Sequence, residues 1–519
     1  MKRTIHAILL LVFMGTSFSL TAQKVGTDFM KLSTYADRLS EENIRKHLEI
    51  LSADDMEGRE AGHPGNLKAA KYLAGQLELF GYETPVRTSD YFQYFPLYKQ
   101  VWQDISMTID DRPYRYLTDF YALPSQNPNL PAFTSKEIVY LGYGMNSESY
   151  DDFQEGDLAN RIVIIKEGRP GNSELKTSGL EENKLKAARK AGVRLILVIT
   201  DRYNERLRRY RQILSAPTIT TRLPQSKRTN VVYISPRVAA QLMDDYAGDI
   251  AEYDREKYSS PRVEKDPVVI RTDFAIALHK RTEYEYVPNV VGILPGKDPE
   301  LRHELLVMSA HLDHLGVRGD QIYNGADDDG SGTSTILEIA RVISELAQEP
   351  GNEPRRSLLI LFANAEEKGL LGSAYYTDHP LYPLSSTITN LNVDMIGRRD
   401  EAHQDNPFYT YIIGSDKLSS DLHAINEEVN QSLTNLELDY TYNDEADPNR
   451  FYYRSDHYNF AKNDIPVIFY FTGVHEDYHK STDTIEKIEF GKMRTIGQLI
   501  FGTAWELLNR DERPEVDMK

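Results

Sequence analysis

The sequence predicts a mixed α/β protein, a mainly parallel central sheet flanked by helices with a small α/β module inserted into it. Three observations carry this. Beyond residue 285, the short apolar runs Glu304 to Met308, Ser357 to Phe362, Leu391 to Val393 and Pro466 to Phe471 alternate with loops and helical patterns, which is how parallel strands buried on both faces read. Between about residues 132 and 271 the character changes: Glu137 to Tyr140, Arg161 to Ile165 and Arg194 to Ile199 read as strands around a helical stretch at Asn183 to Ala191. Finally, 519 residues at 40% hydrophobic and 27% charged are enough for two cores and exclude a disordered or fibrous chain.

Taken in order, Lys2 and Arg3 precede an apolar stretch from Ala7 to Phe13, with small and polar residues through Ala22. This is the plan of a cleavable secretory signal, and it predicts a periplasmic or extracellular protein. The run falls short of the roughly 20 residues a spanning helix needs, so no stable membrane insertion is expected once it is removed. Leu67, Ala70, Leu73, Leu77 and Phe80 recur at helical spacing over Asn66 to Phe80, and Gly81 ends the pattern. Tyr91 to Trp102 alternates like a strand. Pro124, Pro128 and Pro131 then mark a boundary. The resulting division is a signal at 1–22, a main domain at 23–131 plus 272–512, an insert at 132–271 and a tail at 513–519. Within the insert, Lys184 to Arg211 holds ten basic and two acidic residues, a solvated face rather than an anion site. Ile336, Ala340, Ile343 and Ala347 mark a helix between the first two strands of the main domain.

Charge and composition narrow the chemistry. With 79 acidic against 60 basic residues the net charge is −19, which disfavours a nonspecific grip on nucleic acid or an anionic membrane. There is no cysteine, so disulfides, thiol nucleophiles and Cys-ligated zinc are excluded. Any metal must be held by His, Asp and Glu.

Those residue types gather just past the four predicted strands, where parallel sheets bind ligands. His311 and Asp313 follow the first, Glu366 and Glu367 the second, Asp394 the third and His479 the fourth; the loop after the first strand adds Asp327, Asp328 and Asp329. Singly, each has an ordinary structural reading as a core histidine, a helix cap or a solvated turn. Together they crowd like charges that only cations would compensate. Two divalent ions with Asp328, Glu367 and Asp394 as ligands leave one positive charge, which a bridging hydroxide neutralises, as in two-metal hydrolases. Imidazole and carboxylate donors favour zinc, with cobalt or manganese able to replace it.

The sequence resembles the secreted co-catalytic di-zinc aminopeptidases, the aminopeptidase Y-like metallopeptidases, in five blocks that occur in family order: Ser309 to Asp313, Gly325 to Gly332, Ala365 to Ser373, Asn392 to Gly397 and Tyr478-His479. The likeness extends over His47 to Gly81 and Ser455 to Ile488. It implies the zinc-dependent exopeptidase type of fold, with His311 and Asp394 on one zinc, Glu367 and His479 on the other, and Asp328 bridging both. It further implies Glu366 as general base, Asp313 as the carboxylate orienting His311, Tyr478 as an electrophilic donor, and a cis peptide after Asp328. The insert is similar to the protease-associated domain in Glu137 to Gly144, Tyr150 to Asp152 and Gly192 to Val198, which implies a lid or substrate-access role; this likeness fades between Tyr203 and Asp266.

His475-Glu476-Asp477-Tyr478-His479 also spells the His-Glu-x-x-His signature of a different protease class. That signature needs a helix, and Ser481, Thr482, Asp483 and Thr484 are poor helix formers. No Gly-x-Ser-x-Gly elbow supports serine hydrolysis. The expected function is release of N-terminal residues from peptides or proteins, with two Zn2+ per chain. A glutaminyl cyclase-like or carboxypeptidase activity, or a catalytically inactive binding module, would share the fold.

Overall fold

The computed structural model describes residues 29–153, 157–171, 180–223 and 229–518; the signal read at 1–22 lies outside them. Four strands, Val467–Phe471, Thr387–Val393, Leu305–His311 and Ser357–Ala363, run side by side in that order and all parallel. Each is buried along its whole length. This is why Ser357–Ala363, Val467–Phe471 and most of Leu305–His311 are apolar without alternation, whereas Thr387–Val393 alternates polar and apolar residues although all are buried. Successive residues nevertheless serve opposite layers. Leu306, Met308, Leu358, Ile360 and Phe362 pack under helices Glu41–Leu51, Pro64–Leu79, Gly332–Ala347 and Phe490–Asn509, whereas Val307, Leu359 and Leu361 meet Tyr376 and Phe460 from the short helices Leu371–Asp378 and His457–Ala461. Each fully buried Leu or Ile contributes about 1.5–3 kcal/mol.

Beyond Ser357–Ala363 the sheet continues through a 27-residue strand, Val268–Leu294, in three regimes. Ile270, Phe274, Ile276 and Leu278 are buried at alternate positions, residues 281–286 are exposed, and residues 287–293 are buried on both faces. Its antiparallel partner, Phe92–Ile109, follows it from Phe92 opposite Val290 to Ile109 opposite Phe274. This ribbon joins two bodies. At its far end lies the smaller one, in which Leu130–Tyr140, Ile162–Lys166, Leu195–Ile199 and Asn230–Ile234 form a second parallel block covered by Leu180–Lys190, Pro236–Met243 and Ala247–Lys257. Its core takes in Met107, Ile109, Tyr114 and Phe120 from before residue 132 and Phe274, Ile276 and Leu278 from after 271.

The fold class and the four core strands lie where the sequence puts them. The basic run of the insert is mixed rather than uniformly solvated: Lys184 is buried, donating to Lys166 O and Gly168 O, while Arg189 and Lys190 are exposed.

Candidate metal centre

The carboxyl ends of the parallel strands deliver the site. His311 is the last residue of its strand, Glu366 and Glu367 follow Ser357–Ala363, Asp394 follows Thr387–Val393, and His479 closes the loop after Val467–Phe471. Asp328 comes from the kinked turn Ala326–Ser331 that enters the helix Gly332–Ala347. Gly325 starts that turn at φ +59, where a Cβ would meet Asp328 O at 2.3 Å and the His314 ring at 2.6 Å, so no side chain fits there. The Asp328–Asp329 peptide is cis.

Asp328 faces two ways. Its Oδ1 is 3.2 Å from His311 Nε2, which is also 3.5 Å from Asp394 Oδ1. Its Oδ2 is 3.2 Å from His479 Nε2, which is 3.2 Å from Glu367 Oε2. Asp328 Oδ2 and Glu367 Oε1 are buried without hydrogen-bond partners. Orphaned carboxylate oxygens crowded against imidazoles are the donor set of a divalent cation site. Among the described residues two groups have that spacing, His311 with Asp329 and Asp394, and His314 with Asp328 and Glu367. Asp329 is committed elsewhere, its Oδ2 accepting from His311 N at 3.1 Å and its Oδ1 from Gly332 N and Met395 N. That leaves Asp328 Oδ1 and Asp394 Oδ1 as the carboxylate oxygens facing His311 Nε2.

The electrostatics reflect the crowding. Burial opposes the charge on His311, yet Asp394, Glu366 and Asp328 hold its imidazolium well above the usual range. Burial also opposes His479, and Asp328 and Glu367 raise it to about 10. Glu366 is pushed well up by burial, with Asp394, Glu367 and Asp456 reinforcing and His311 opposing. It shares a cavity of about 40 Å3 with His311, Asp328, Asp394, Tyr478 and His479, walled by Met395, Phe451, Phe471 and Val474.

Surrounding groups brace the ligands. The imidazole Nδ1 of His311 is 3.0 Å from the main-chain carbonyl of Asp313. The Asp313 carboxylate, which the resemblance assigns to His311, is 3.9 Å from that nitrogen and instead accepts the amides of Glu366 at 2.9 Å and Glu367 at 3.4 Å. It therefore ties the His311 loop to the glutamate turn. Ser455 Oγ donates to Asp394 Oδ2 at 2.7 Å, and Asp483 accepts the amides of Asp327 and Asp328. The His-Glu-x-x-His segment is a turn, and its histidines part company: His475 Nε2 lies 3.2 Å from Asp327 Oδ2, away from the Asp328 donors that His479 faces.

Several groups escaped the sequence reading. Arg59, 1% exposed, donates Nε to Leu312 O at 2.9 Å, Nη1 to Leu51 O and Asn324 O at 2.7 and 2.6 Å, and Nη2 to Gly325 O at 2.9 Å. It thus clamps the loops that carry His311 and Asp328. The approach to it runs through Gly58 at φ +62, where a Cβ would lie 2.4 Å from Tyr323 O. Arg454 stands at the cavity, 3.4 Å from the Tyr478 hydroxyl and over the Phe451 ring. His314 sits beside Glu367. Arginine main-chain clamps leave no sequence period, and His314 needed only the step from His311-x-Asp313 to the next residue.

With this geometry in place, comparison with known proteins is informative. Residues 289–504, which carry His311, Asp328, Glu367, Asp394 and His479, match the model of Peptidase family M28. That stretch of the chain is similar to the M28 peptidases. The chain is 26% identical over 234 residues to aminopeptidase YwaD of Bacillus subtilis (strain 168), covering 44% of this chain and 47% of that protein. It is 29% identical over 226 residues to a probable leucine aminopeptidase of Trichophyton verrucosum (strain HKI 0517), covering 42% and 57%. The chain thus spans about half the length of these curated relatives. Over most of its length the fold is shared with a solved structure: the aminopeptidase from Aneurinibacillus sp. strain AM-1 superposes with a TM-score of 0.51 at 19% identity over 94% of this chain and 98% of that one.

Proposed function

We propose that this protein is a secreted metal-dependent aminopeptidase that uses two zinc ions and a glutamate base to release N-terminal residues from peptides. The observation that carries the reading is Asp328, whose two oxygens face His311 with Asp394 on one side and His479 with Glu367 on the other. Bound there, two divalent cations would polarise the scissile carbonyl and acidify an attacking water.

The chain's own groups do the rest. Glu366 lines the cavity without serving as a ligand, which places a carboxylate where it takes a proton from the attacking water and returns it to the leaving amine. Tyr478, braced by stacking on His479 with ring centroids 3.9 Å apart, donates its hydroxyl to the developing oxyanion. The free ammonium of the substrate sits among Glu366, Asp328 and Asp394, which gives the preference for unblocked N-termini an electrostatic cause. Met395, Phe451, Phe471 and Val474 accommodate an apolar first side chain. The smaller body, read as a protease-associated domain, reaches the main body through Thr218–Thr220, which pairs with Tyr98 to Gln100, and through Ile219, packed against the cluster of Ala61, Phe95, Leu97, Val287 and Ala365.

Arg454 favours a second reading. Among the described residues it has no ion-pair partner, so it is available for a C-terminal carboxylate, and a carboxypeptidase on the same scaffold would use it. A panel of aminoacyl chromogenic substrates beside N-acetylated peptides with free C-termini separates the two. Aminopeptidase action requires turnover of the first and refusal of the second; the opposite pattern assigns the site to carboxyl ends, and equal turnover makes it an endopeptidase.

A further inference from the structure

His314 belongs to no ligand pair named above, and the proposed chemistry gives it no task. It is nonetheless enclosed with the ligands, 0% exposed. Its Nδ1 is 3.0 Å from Glu367 Oε1 and 3.7 Å from Asp328 Oδ2, and its ring stands edge-on to His479 at 5.9 Å between centroids. Neither ring nitrogen has a hydrogen-bond partner, nor do Glu367 Oε1 and Asp328 Oδ2, the two oxygens nearest it. Leaving one buried polar atom unsatisfied costs about 1–3 kcal/mol, and here several such atoms point at one another. Donor atoms that share a zinc ion at bonds of about 2.0–2.1 Å are themselves separated by about 3–4 Å. The separations of His314 Nδ1 from both oxygens fall in that range.

We infer that His314 is an additional ligand of the metal held by Asp328 Oδ2, Glu367 and His479. The inference rests on the metal-centre reading above and makes the two sites unequal. One side then has His314 and His479 with Glu367, and neither His314 nor Glu367 lines the substrate cavity. The other has a single imidazole, His311, with Asp394, and both of these line it. The His314 site is therefore the more saturated and the slower to exchange, while the His311 site keeps the room a substrate carbonyl needs.

The test uses the full-length protein loaded with Co2+, as wild type, His314→Ala and His314→Gln. X-ray absorption should count three imidazoles shared by two metals in the wild type and two in either variant, and the visible cobalt spectrum should change with them. Chelator titration should release one ion from each variant at a concentration lower by at least about 10-fold, with the other ion unaffected. Melting of the metal-free proteins verifies that the variants fold, and the near-isosteric glutamine keeps the test open where alanine leaves a void. An unchanged imidazole count overturns the inference, as does full recovery of affinity in His314→Gln, which would make His314 a hydrogen-bonding brace of Glu367. A wild-type protein that binds only one ion would defeat the two-metal reading instead, and the imidazole count of that ion would still report on His314.

Discussion

Replacing Arg59 by methionine removes every donor of the clamp while keeping most of the side chain's length. Four carbonyls lose a partner at 2.6 to 2.9 Å: Leu51 O, Leu312 O, Asn324 O and Gly325 O. Orphaning a buried acceptor costs about 1–3 kcal/mol, but the variant also relieves the desolvation of a buried guanidinium. A net loss of about 3–5 kcal/mol is expected. Part of it should appear at the metal centre, because the lost charge faces Asp328, Asp329, Asp483 and Asp313 and the lost bonds fix the loops of His311 and Asp328. Urea unfolding of the metal-free proteins gives the stability term, and chelator competition gives the metal term, which should weaken by at least about 10-fold. Arg59→Lys restores a charge without the planar fork and should fall between the two. If Arg59→Met unfolds within about 1 kcal/mol of wild type and binds metal equally well, the clamp is not what holds these loops.

Three further outcomes follow from the same geometry. Glu366→Gln should retain metal and lower turnover by about two to four orders of magnitude, while Glu476→Gln should be mild; steady-state kinetics giving the reverse ranking would restore the His-Glu-x-x-His reading. Excising the smaller body across the ribbon, where Gln100 and Thr282 are in register, should alter KM and peptide-length preference more than turnover of a dipeptide analogue, and loss of metal from a folded deletion variant would contradict an access role. Burial lowers Lys492 from 10.5 to about 7, so between these values the unfolded chain binds the extra proton and stability rises with pH. Lys492→Met should therefore gain most below pH 7, by at most about 5 kcal/mol, with the advantage fading towards pH 10 in denaturant titrations; a pH-independent difference would refute this.

The core strands were legible because burial on both faces leaves an uninterrupted apolar run, as in Leu305–His311 and Ser357–Ala363. The acidic and histidine residues were legible as a group because parallel strands deliver whatever follows them to one edge. Val268–Leu294 was not, since its pattern changes from alternating to exposed to continuous within one strand, and each portion reads as a different element. The extent of the smaller body was obscured for the same reason: Met107 and Phe274 reach its core from the two strands of the ribbon. Within the site, the resemblance named Asp313 as the partner of His311, but the chain supplies the Asp313 carbonyl to that nitrogen and spends the carboxylate on the glutamate amides. Choices between a main-chain and a side-chain oxygen of one residue are made by loop geometry, which residue identity does not encode. Arg59 and Arg454 went unnoticed because a single arginine outside a periodic pattern most often lies in solvent.

Metal content followed together with activity tests the central claim most directly. Protein purified without added metal is stripped with chelator, titrated with zinc, and assayed at each step on an unblocked dipeptide amide. Activity should vanish on stripping and return in full as zinc approaches two ions per chain, with the N-acetylated amide refused throughout. Undiminished hydrolysis by the metal-free protein would contradict the account.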